Sequence, residues 1–196
     1  MKLVLNKSAR RSRVRKGHPW VFVNELESVP GPEWDGKALP LEDFNGRYIG
    51  MGIVNSKSQI IWRKYSDDKD AWDAKFWSAA LERAEHARDD EPFRRLVWSE
   101  ADRLPGLVVD QFDQVLVVQA LTKAVDDAMD EIIELLQSRF EPREILLRND
   151  APTRRLEGLE LYRRTVSGNK LEPFWAEIYN VCLLYTSDAA DDVSTG

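Results

Sequence analysis

Residues 99–119 of this chain read SEADRLPGLVVDQFDQVLVVQ, a polar loop followed by two apolar, β-branched runs with a polar stretch between them. The runs at 107–109 and 115–118 are rich in valine, which suits a pleated and half-buried surface, and residues 110–114 suit a turn. Pro105 and Gly106 precede the first run and mark a change of direction. The stretch therefore predicts a β-hairpin in the middle of an α+β domain.

The residues before this hairpin predict a compact β-barrel. Short strands are expected at 2–7, 20–23, 47–54 and 60–63, with one small helix that begins at Ser8 and ends near Gly17. Trp20 and Phe22 are expected in the core. Gly50 and Gly52 form an isolated pair inside a strand, which indicates a bulge or a close backbone approach more than a nucleotide loop.

A charged connector at 66–70 separates the barrel from a second unit. There, apolar residues at helical spacing predict a helix from Phe76 to near Asp90 and a longer one from Thr122 to Phe140. We expect one sheet that contains 107–110, 115–119 and 145–148, with the longer helix across it, and further strands at 159–166 and 172–178. The predicted limits are 1–66 for the first domain, 71–178 for the second, and 179–196 for a non-native or disordered tail.

Composition narrows the class of protein. The chain has 196 residues, a formal net charge of −6 and one cysteine, Cys182. A single cysteine excludes a disulfide framework within the chain and favours a reducing compartment, and no apolar run approaches the roughly 20 residues of a membrane span. The prediction is a cytoplasmic protein with no membrane contact. The acidic residues of the second helix lie on its solvent face without His or Cys, so no metal site is predicted.

The basic residues are unevenly distributed. Residues 1–16 contain seven Lys or Arg and no acidic residue, whereas the acids concentrate from Asp67 onward. A clustered basic face attracts phosphate even when the whole molecule is acidic. On charge alone, a solvated surface or a flexible tail is the favoured interpretation of the run.

Three stretches add a family resemblance. They are 100–110 (EADRLPGLVVD), 16–22 (KGHPWVF), and 148–150 with 157–159 (RND and EGL). In this order they resemble the PUA-containing class I methyltransferases that modify carbon 5 of a cytosine in large-subunit ribosomal RNA. The resemblance implies an N-terminal PUA-like β-barrel followed by a small α+β middle domain, with ribosomal RNA as partner, S-adenosylmethionine as cofactor of the full-length family and, in that family, a homodimer.

The resemblance also implies where RNA would bind. The candidate RNA contacts are Lys7, Arg10, Arg11, Arg13, Arg15, Lys16, His18, Arg148, Arg154 and Arg155. For His18, a hydrogen bond to backbone at a turn is the stronger interpretation. For Arg154 and Arg155, surface ion pairing with Glu157 or Glu160 is the simpler alternative.

Features of a methyltransferase catalytic domain are missing from the sequence. The chain has no G-x-G-x-G turn for S-adenosylmethionine, and Cys182 lies outside any stretch that matches a catalytic motif. We therefore predict that the Rossmann methyltransferase domain is missing and that the chain is a truncated RNA-binding portion, inactive by itself, with no catalytic, cofactor or metal residue. The alternative prediction is a free-standing RNA-binding adaptor.

Overall fold

The computed structural model describes residues 1–8, 13–169, 174–178 and 181–185. Two five-stranded sheets, each with its own core, make up most of the described chain. Within those residues no helix is long and apolar enough to span a membrane.

The first sheet has the strand order β1-β3-β4-β5-β2. Its β1–β3 pair is parallel, and the other pairs are antiparallel. Two 3₁₀ turns, Val23–Glu25 and Pro32–Trp34, lie in the connection from β2 to β3. The strands are β1 (Leu3–Val4), β2 (Trp20–Phe22), β3 (Ala38–Glu42), β4 (Tyr48–Val54) and β5 (Ile60–Ser66).

Glycine on β4 makes room for the largest core side chain. Trp62 is fully buried and donates from its Nε1 to the carbonyl of Leu39 at 2.9 Å. A Cβ atom on Gly52 would lie 2.2 Å from the Trp62 ring, and the pairing of β4 with β5 shifts register between Met51 and Gly52. The predicted bulge and close backbone approach are both confirmed.

The expected core positions on β2 are wrong by one residue. Val21 is fully buried, whereas Trp20 and Phe22 are only half-buried. Because successive side chains of a strand point to opposite faces, a shift of one residue exchanges the inner and outer sets. Trp20 and Phe22 therefore face outward, where they contact charged groups.

Of the predicted basic helix from Ser8 to near Gly17, the structure describes Ser8 and residues 13–17. A single 3₁₀ turn spans Arg13–Lys16 and ends at Gly17, whose φ of 95° lies in the region that favours glycine. Val14, the one apolar residue of this turn, is buried in the first core. The turn is therefore anchored by Val14, while Arg13 and Lys16 are exposed.

The second sheet has the order β10-β9-β8-β7-β6. The predicted hairpin is confirmed, because β7 and β8 pair antiparallel from Leu107 with Ala120 to Phe112 with Val115. The predicted sheet of 107–110, 115–119 and 145–148 is confirmed, and two further strands extend it at its edges. The strands are β6 (Phe93–Trp98), β7 (Leu107–Phe112), β8 (Val115–Ala120), β9 (Glu144–Asn149) and β10 (Tyr162–Thr165).

One connection in this sheet is a crossover. β8 and β9 are parallel neighbours, and the chain between them forms α2 (Lys123–Asp127) and α3 (Met129–Phe140). Parallel strands joined through a helix make a βαβ unit, the building block of α/β sheets. This unit departs from the predicted small α+β middle domain.

The helices cover one face of the second sheet. α1 (Ala74–His86) begins at Asp73, whose side chain accepts from the backbone N–H of Phe76 at 3.0 Å. The single helix predicted from Thr122 to Phe140 is interrupted at Ala128, but its apolar stripe packs on the sheet as expected. The buried residues of the stripe are Val125, Ala128, Met129, Ile132, Ile133 and Leu136.

A short antiparallel pair follows the second sheet. It consists of β11 (Phe174–Ile178) and β12 (Val181–Tyr185). Part of the predicted tail is therefore a strand, and Cys182 lies on it. Residues 186–196 lie outside the described part of the chain.

Candidate nucleic-acid interface

The basic turn at Arg13–Lys16 presents exposed cations beside an aromatic ring. Lys7, Arg13 and Lys16 are exposed, and the Arg13 guanidinium lies 5.6 Å from the centre of the Phe22 ring. Arg10 and Arg11 lie outside the described residues, and for Arg15 only the backbone is described. The described members of the predicted basic cluster are thus available to a polyanion.

His18 is used at the turn that follows. Its Nδ1 accepts a hydrogen bond from the backbone N–H of Trp20 at 3.1 Å, and the two rings meet edge to face at 5.5 Å. The interpretation of His18 as a turn residue bonded to backbone is confirmed. Its ring orients Trp20.

Trp20 leads to a polar junction between the two sheets. The Trp20 Nε1 donates to the Glu100 carboxylate at 2.6 Å. Arg63, on β5, donates to Glu100 at 3.3 Å and to Glu157 at 3.1 Å, and its guanidinium lies 5.5 Å from the Trp20 ring centre. One arginine of the first sheet is therefore held by two carboxylates that belong to the second unit.

The carboxylates of this junction are well satisfied. Glu157 is 4% exposed and also accepts from the Asn55 side chain at 2.8 Å. Burial acts to raise the pKa of Glu100, but hydrogen bonds from Ser99 and Trp20 and the charge of Arg63 outweigh it and leave that pKa below its usual value. Glu100 is thus held as a carboxylate at neutral pH, and Glu157 is bonded by Asn55 and Arg63 of the first unit.

An apolar contact lies beside the polar one. Tyr65 at the end of β5 packs against Trp72 and Phe76, with ring centres 5.0 and 4.9 Å apart. Ile53 and Ala124 complete this small cluster. The connector is also ordered, because the Tyr65 hydroxyl donates to the carbonyl of Asp70 at 2.6 Å and Ser66 Oγ donates to the Asp70 carboxylate at 2.5 Å.

We expect Arg63→Gln to destabilise the protein in a pH-dependent way. At neutral pH the change leaves two carboxylates without their cation, and we expect a loss of about 1–3 kcal/mol in the free energy of unfolding. A carboxyl whose folded pKa is lowered stabilises the fold above its unfolded pKa, and that contribution is lost as the pH falls through the folded pKa. The gap between parent and variant should therefore shrink from pH 7 towards pH 3, as followed by urea unfolding.

Arg47→Gln is the matched control for this experiment, because Arg47 is an exposed arginine in the turn between β3 and β4 and has no part in the cluster of Arg63 with Glu100 and Glu157. Its effect on the free energy of unfolding should be small and should not change with pH. If the difference in free energy of unfolding between parent and Arg63→Gln stays constant from pH 7 to pH 3, the role assigned to the two carboxylates is contradicted.

The arginines predicted after β9 occupy three different environments. Arg148 is half-buried and bonded to Asp150 at 3.2 Å, and Arg155 is exposed. Arg154 is 1% exposed and donates to the carbonyls of Ala120 and Glu160 and to the carboxylate of Asp126. The prediction of Arg154 as an RNA contact is corrected, because protein groups hold its guanidinium inside the fold.

The sequence-based prediction missed Arg63, Lys64 and Arg103, which lie at or near the junction. The usable signal was the run 60–63, in which two isoleucines and a tryptophan precede a single arginine. A charged residue on a strand that is otherwise apolar needs a buried partner. That signal indicates that the arginine needs a bonding partner, but it does not identify the partner.

Two glycines of the described residues leave no room for S-adenosylmethionine beside them. A cofactor cradle needs a glycine turn with free space where a side chain would stand. At Gly52 and Gly106 that space is filled, by the Trp62 ring and by the side chain of Thr122. The same part of the chain holds no group of three or more His, Cys, Asp or Glu that could bind a metal.

Comparison with known proteins gives a family context. Residues 3–67 match a family model described as a PUA-like domain. A ribosomal RNA large subunit methyltransferase I from Enterobacter sp. (strain 638) is 32% identical over 175 residues, which is 86% of this chain and 44% of the relative. The protein of that name from Escherichia coli (strain K12) is 31% identical over the same shares. The chain thus spans less than half the length of these relatives.

Solved structures show the same fold. A protein from Streptococcus mutans, described as a S-adenosylmethionine-dependent methyltransferase, aligns with a TM-score of 0.75 at 12% identity over 94% of this chain and 48% of that one. A methyltransferase solved in complex with SAH aligns with a TM-score of 0.76 at 12% identity. That alignment covers 94% of this chain and 47% of the other. Both alignments run through the two sheets of this chain.

These findings correct two predictions. The predicted fold class is wrong in treating the methyltransferase domain as missing, because the chain aligns almost throughout with methyltransferase structures and carries a second sheet of five strands. The predicted function is wrong both as a truncated RNA-binding portion and as an adaptor, because the relatives that match 86% of the chain are ribosomal RNA methyltransferases. The PUA-like domain and the homology to these enzymes are confirmed.

Proposed function

We propose that this protein acts in the S-adenosylmethionine-dependent methylation of large-subunit ribosomal RNA and that its PUA-like domain binds the RNA. The observation that carries the proposal is the exposed basic turn of Arg13 and Lys16, set on a domain that matches a PUA-like model. The relatives of that domain are named as ribosomal RNA methyltransferases, which supports RNA as the polyanion.

The charge distribution supports the same assignment. Residues 1–66 contain twelve Lys or Arg against six Asp or Glu, although the whole chain carries a net charge of −6. RNA approaching an acidic protein is steered to the face where cations are concentrated. Release of counterions from each neutralised phosphate then supplies affinity that does not depend on sequence.

The exposed positions of Arg13 and Lys16 fit phosphate contact better than base recognition. Flexible exposed cations bond readily to the RNA backbone, whereas base recognition needs groups fixed against base edges. We therefore expect this surface to position RNA without selecting its sequence. Lys7, Arg10, Arg11, Arg15 and Arg155 remain candidate contacts of the same kind.

The double variant Arg13→Gln with Lys16→Gln tests the proposal. We expect the parent to bind structured large-subunit RNA with an affinity that falls steeply with salt. The double variant should bind about tenfold more weakly at low salt, and its log–log salt slope should be flatter by about 1.5. Fluorescence anisotropy with labelled RNA hairpins of two unrelated sequences should show similar losses for both.

Arg139→Gln is the control, because it removes one exposed cation from α3, far along the chain from the basic turn. It should leave affinity and salt slope near those of the parent. The proposal fails if the parent binds neither hairpin, or if the double variant keeps the parent's affinity and slope.

Finer parts of the assignment belong to this proposal. Methylation at carbon 5 of cytosine requires a cysteine thiolate that adds to carbon 6 of the base. We assign no such role to Cys182, the only cysteine of the chain. Homodimerisation, expected from the family resemblance, and a cytoplasmic location, expected from the composition, stay predictions.

A further inference from the structure

A cleft opens where the basic turn meets the second unit. Its walls include Gly17 and Pro19 from the end of the turn, Lys64 and Asp67 from the end of β5, and Glu100 and Arg103 from the loop before β7. The backbone N–H of Lys64 donates to the carbonyl of Pro19 at 2.7 Å, so the base of Lys64 is fixed beside the turn. The cleft is thus continuous with the surface that carries Lys16.

An exposed carboxylate lies between two cations in this cleft. The Asp67 carboxylate is bonded to Lys64 Nζ at 2.6 Å and lies 3.4 Å from the Arg103 guanidinium. The Asp67 side chain is 65% exposed and that of Arg103 is 52% exposed. An ion pair as exposed as that of Asp67 with Arg103 contributes little to stability and exchanges readily with other anions, whereas Lys64 is 16% exposed and is the more enclosed of the two cations.

The position of Arg103 is fixed by its backbone. Its φ of 62° is left-handed, and its N–H closes the 3₁₀ turn Ser99–Asp102 by donating to the carbonyl of Glu100 at 3.2 Å. The other acid of the cleft, Glu100, is already engaged by Trp20, Ser99 and Arg63. The two cations facing the cleft therefore have Asp67 as their acidic partner there, and a phosphate of similar charge and shape can replace it.

We propose that Lys64 and Arg103 form a second phosphate site, at which a phosphodiester of the bound RNA displaces the Asp67 carboxylate. RNA held at the basic turn would then continue across the junction onto the second unit. The inference rests on the RNA-binding function proposed above, and it adds a contact outside the PUA-like domain. It also makes Asp67 an internal competitor of RNA.

Two variants with opposite expected effects test this site. Arg103→Gln should weaken binding of a structured RNA hairpin about fivefold at low salt and flatten the salt slope by about 0.9. Asp67→Asn should strengthen binding about threefold, because it removes a like charge from the phosphate position. Glutamine is chosen over glycine at position 103 so that the left-handed backbone is not relaxed.

Asp130→Asn, on the exposed side of α3, controls for the change in net charge. It should leave affinity near that of the parent, and thermal unfolding should show that each variant is folded. If the Asp67→Asn and Asp130→Asn variants bind RNA equally, and Arg103→Gln keeps the parent's slope, the site is refuted while RNA binding at the basic turn stands.

Two other outcomes would also overturn the second phosphate site. A parent protein that binds no RNA would overturn this site together with the proposed function. Inorganic phosphate serves as the second probe in isothermal titration. Phosphate binding that is lost in Arg103→Gln, with RNA affinity unchanged in that variant, would assign the cleft to a small anion and overturn the proposal.

Discussion

Replacing Arg154 by alanine is expected to lower the free energy of unfolding by about 3–5 kcal/mol, against a total of about 5–15 kcal/mol for a protein of this kind. The guanidinium is 1% exposed and donates to two backbone carbonyls and to the carboxylate of Asp126. Its removal leaves these acceptors unsatisfied in a space that water enters poorly. Urea unfolding followed by circular dichroism measures the loss.

The adjacent residue supplies the matched control. Arg155 is exposed, and Arg155→Ala should change the free energy of unfolding by less than about 0.5 kcal/mol. Equal stability of the two variants would contradict the burial of Arg154. Any effect of Arg155→Ala on RNA affinity would report its candidate role separately, because its fold is expected to be intact.

A second large effect is expected at Ile132→Asp on α3. Ile132 is fully buried in the core between α3 and the second sheet. An unpaired carboxylate there costs several kcal/mol, because the charged form is desolvated, which raises the pKa, and the neutral form must first take up a proton. The apolar contacts of Ile132 are lost in addition. We expect the second sheet to lose its cooperative thermal unfolding.

Glu134→Asp, on the exposed side of the same helix, places the same new side chain in water. It should lower stability by only a few tenths of a kcal/mol, through the weaker helix propensity of aspartate. Thermal unfolding of Ile132→Asp that matches this control would show that the helix face is wrongly assigned.

The sequence predicted those elements whose pattern is local. The valine runs at 107–109 and 115–118 predicted the hairpin, and the apolar stripe through Ile132 predicted which side of α3 is buried. In both cases a single periodicity extends over the whole element. The glycines at 50 and 52 were equally informative, because only a close approach explains them inside a strand.

β6 has no such periodicity. Its pairing with β7 shifts register between Arg95 and Val97, so that Leu96 and Val97 are both buried while Arg95 and Trp98 are more exposed. A bulge breaks the alternation that identifies a strand. β10 lies within the strand expected at 159–166, although its consecutive arginines 163 and 164 are not typical of a strand.

The candidate site was predictable only in part. Clustered charge near the N-terminus is visible in a sequence, and the exposed residues Arg13 and Lys16 agree with it. Burial of an arginine is not visible, because it depends on acceptors distant in the chain. Arg154 lies 34 residues from one of its acceptors, Ala120, and Arg63 lies 94 residues from Glu157.

The junction built on Arg63 and Tyr65 bears on how the chain can be divided. A cut at the charged connector would leave the Trp72 and Phe76 rings uncovered on one piece and Tyr65 on the other, and it would leave the buried Glu157 carboxylate with neither Arg63 nor Asn55. Exposed aromatic patches promote aggregation. The two halves expressed apart should therefore be poorly soluble, and mixing them should restore solubility if they reassemble.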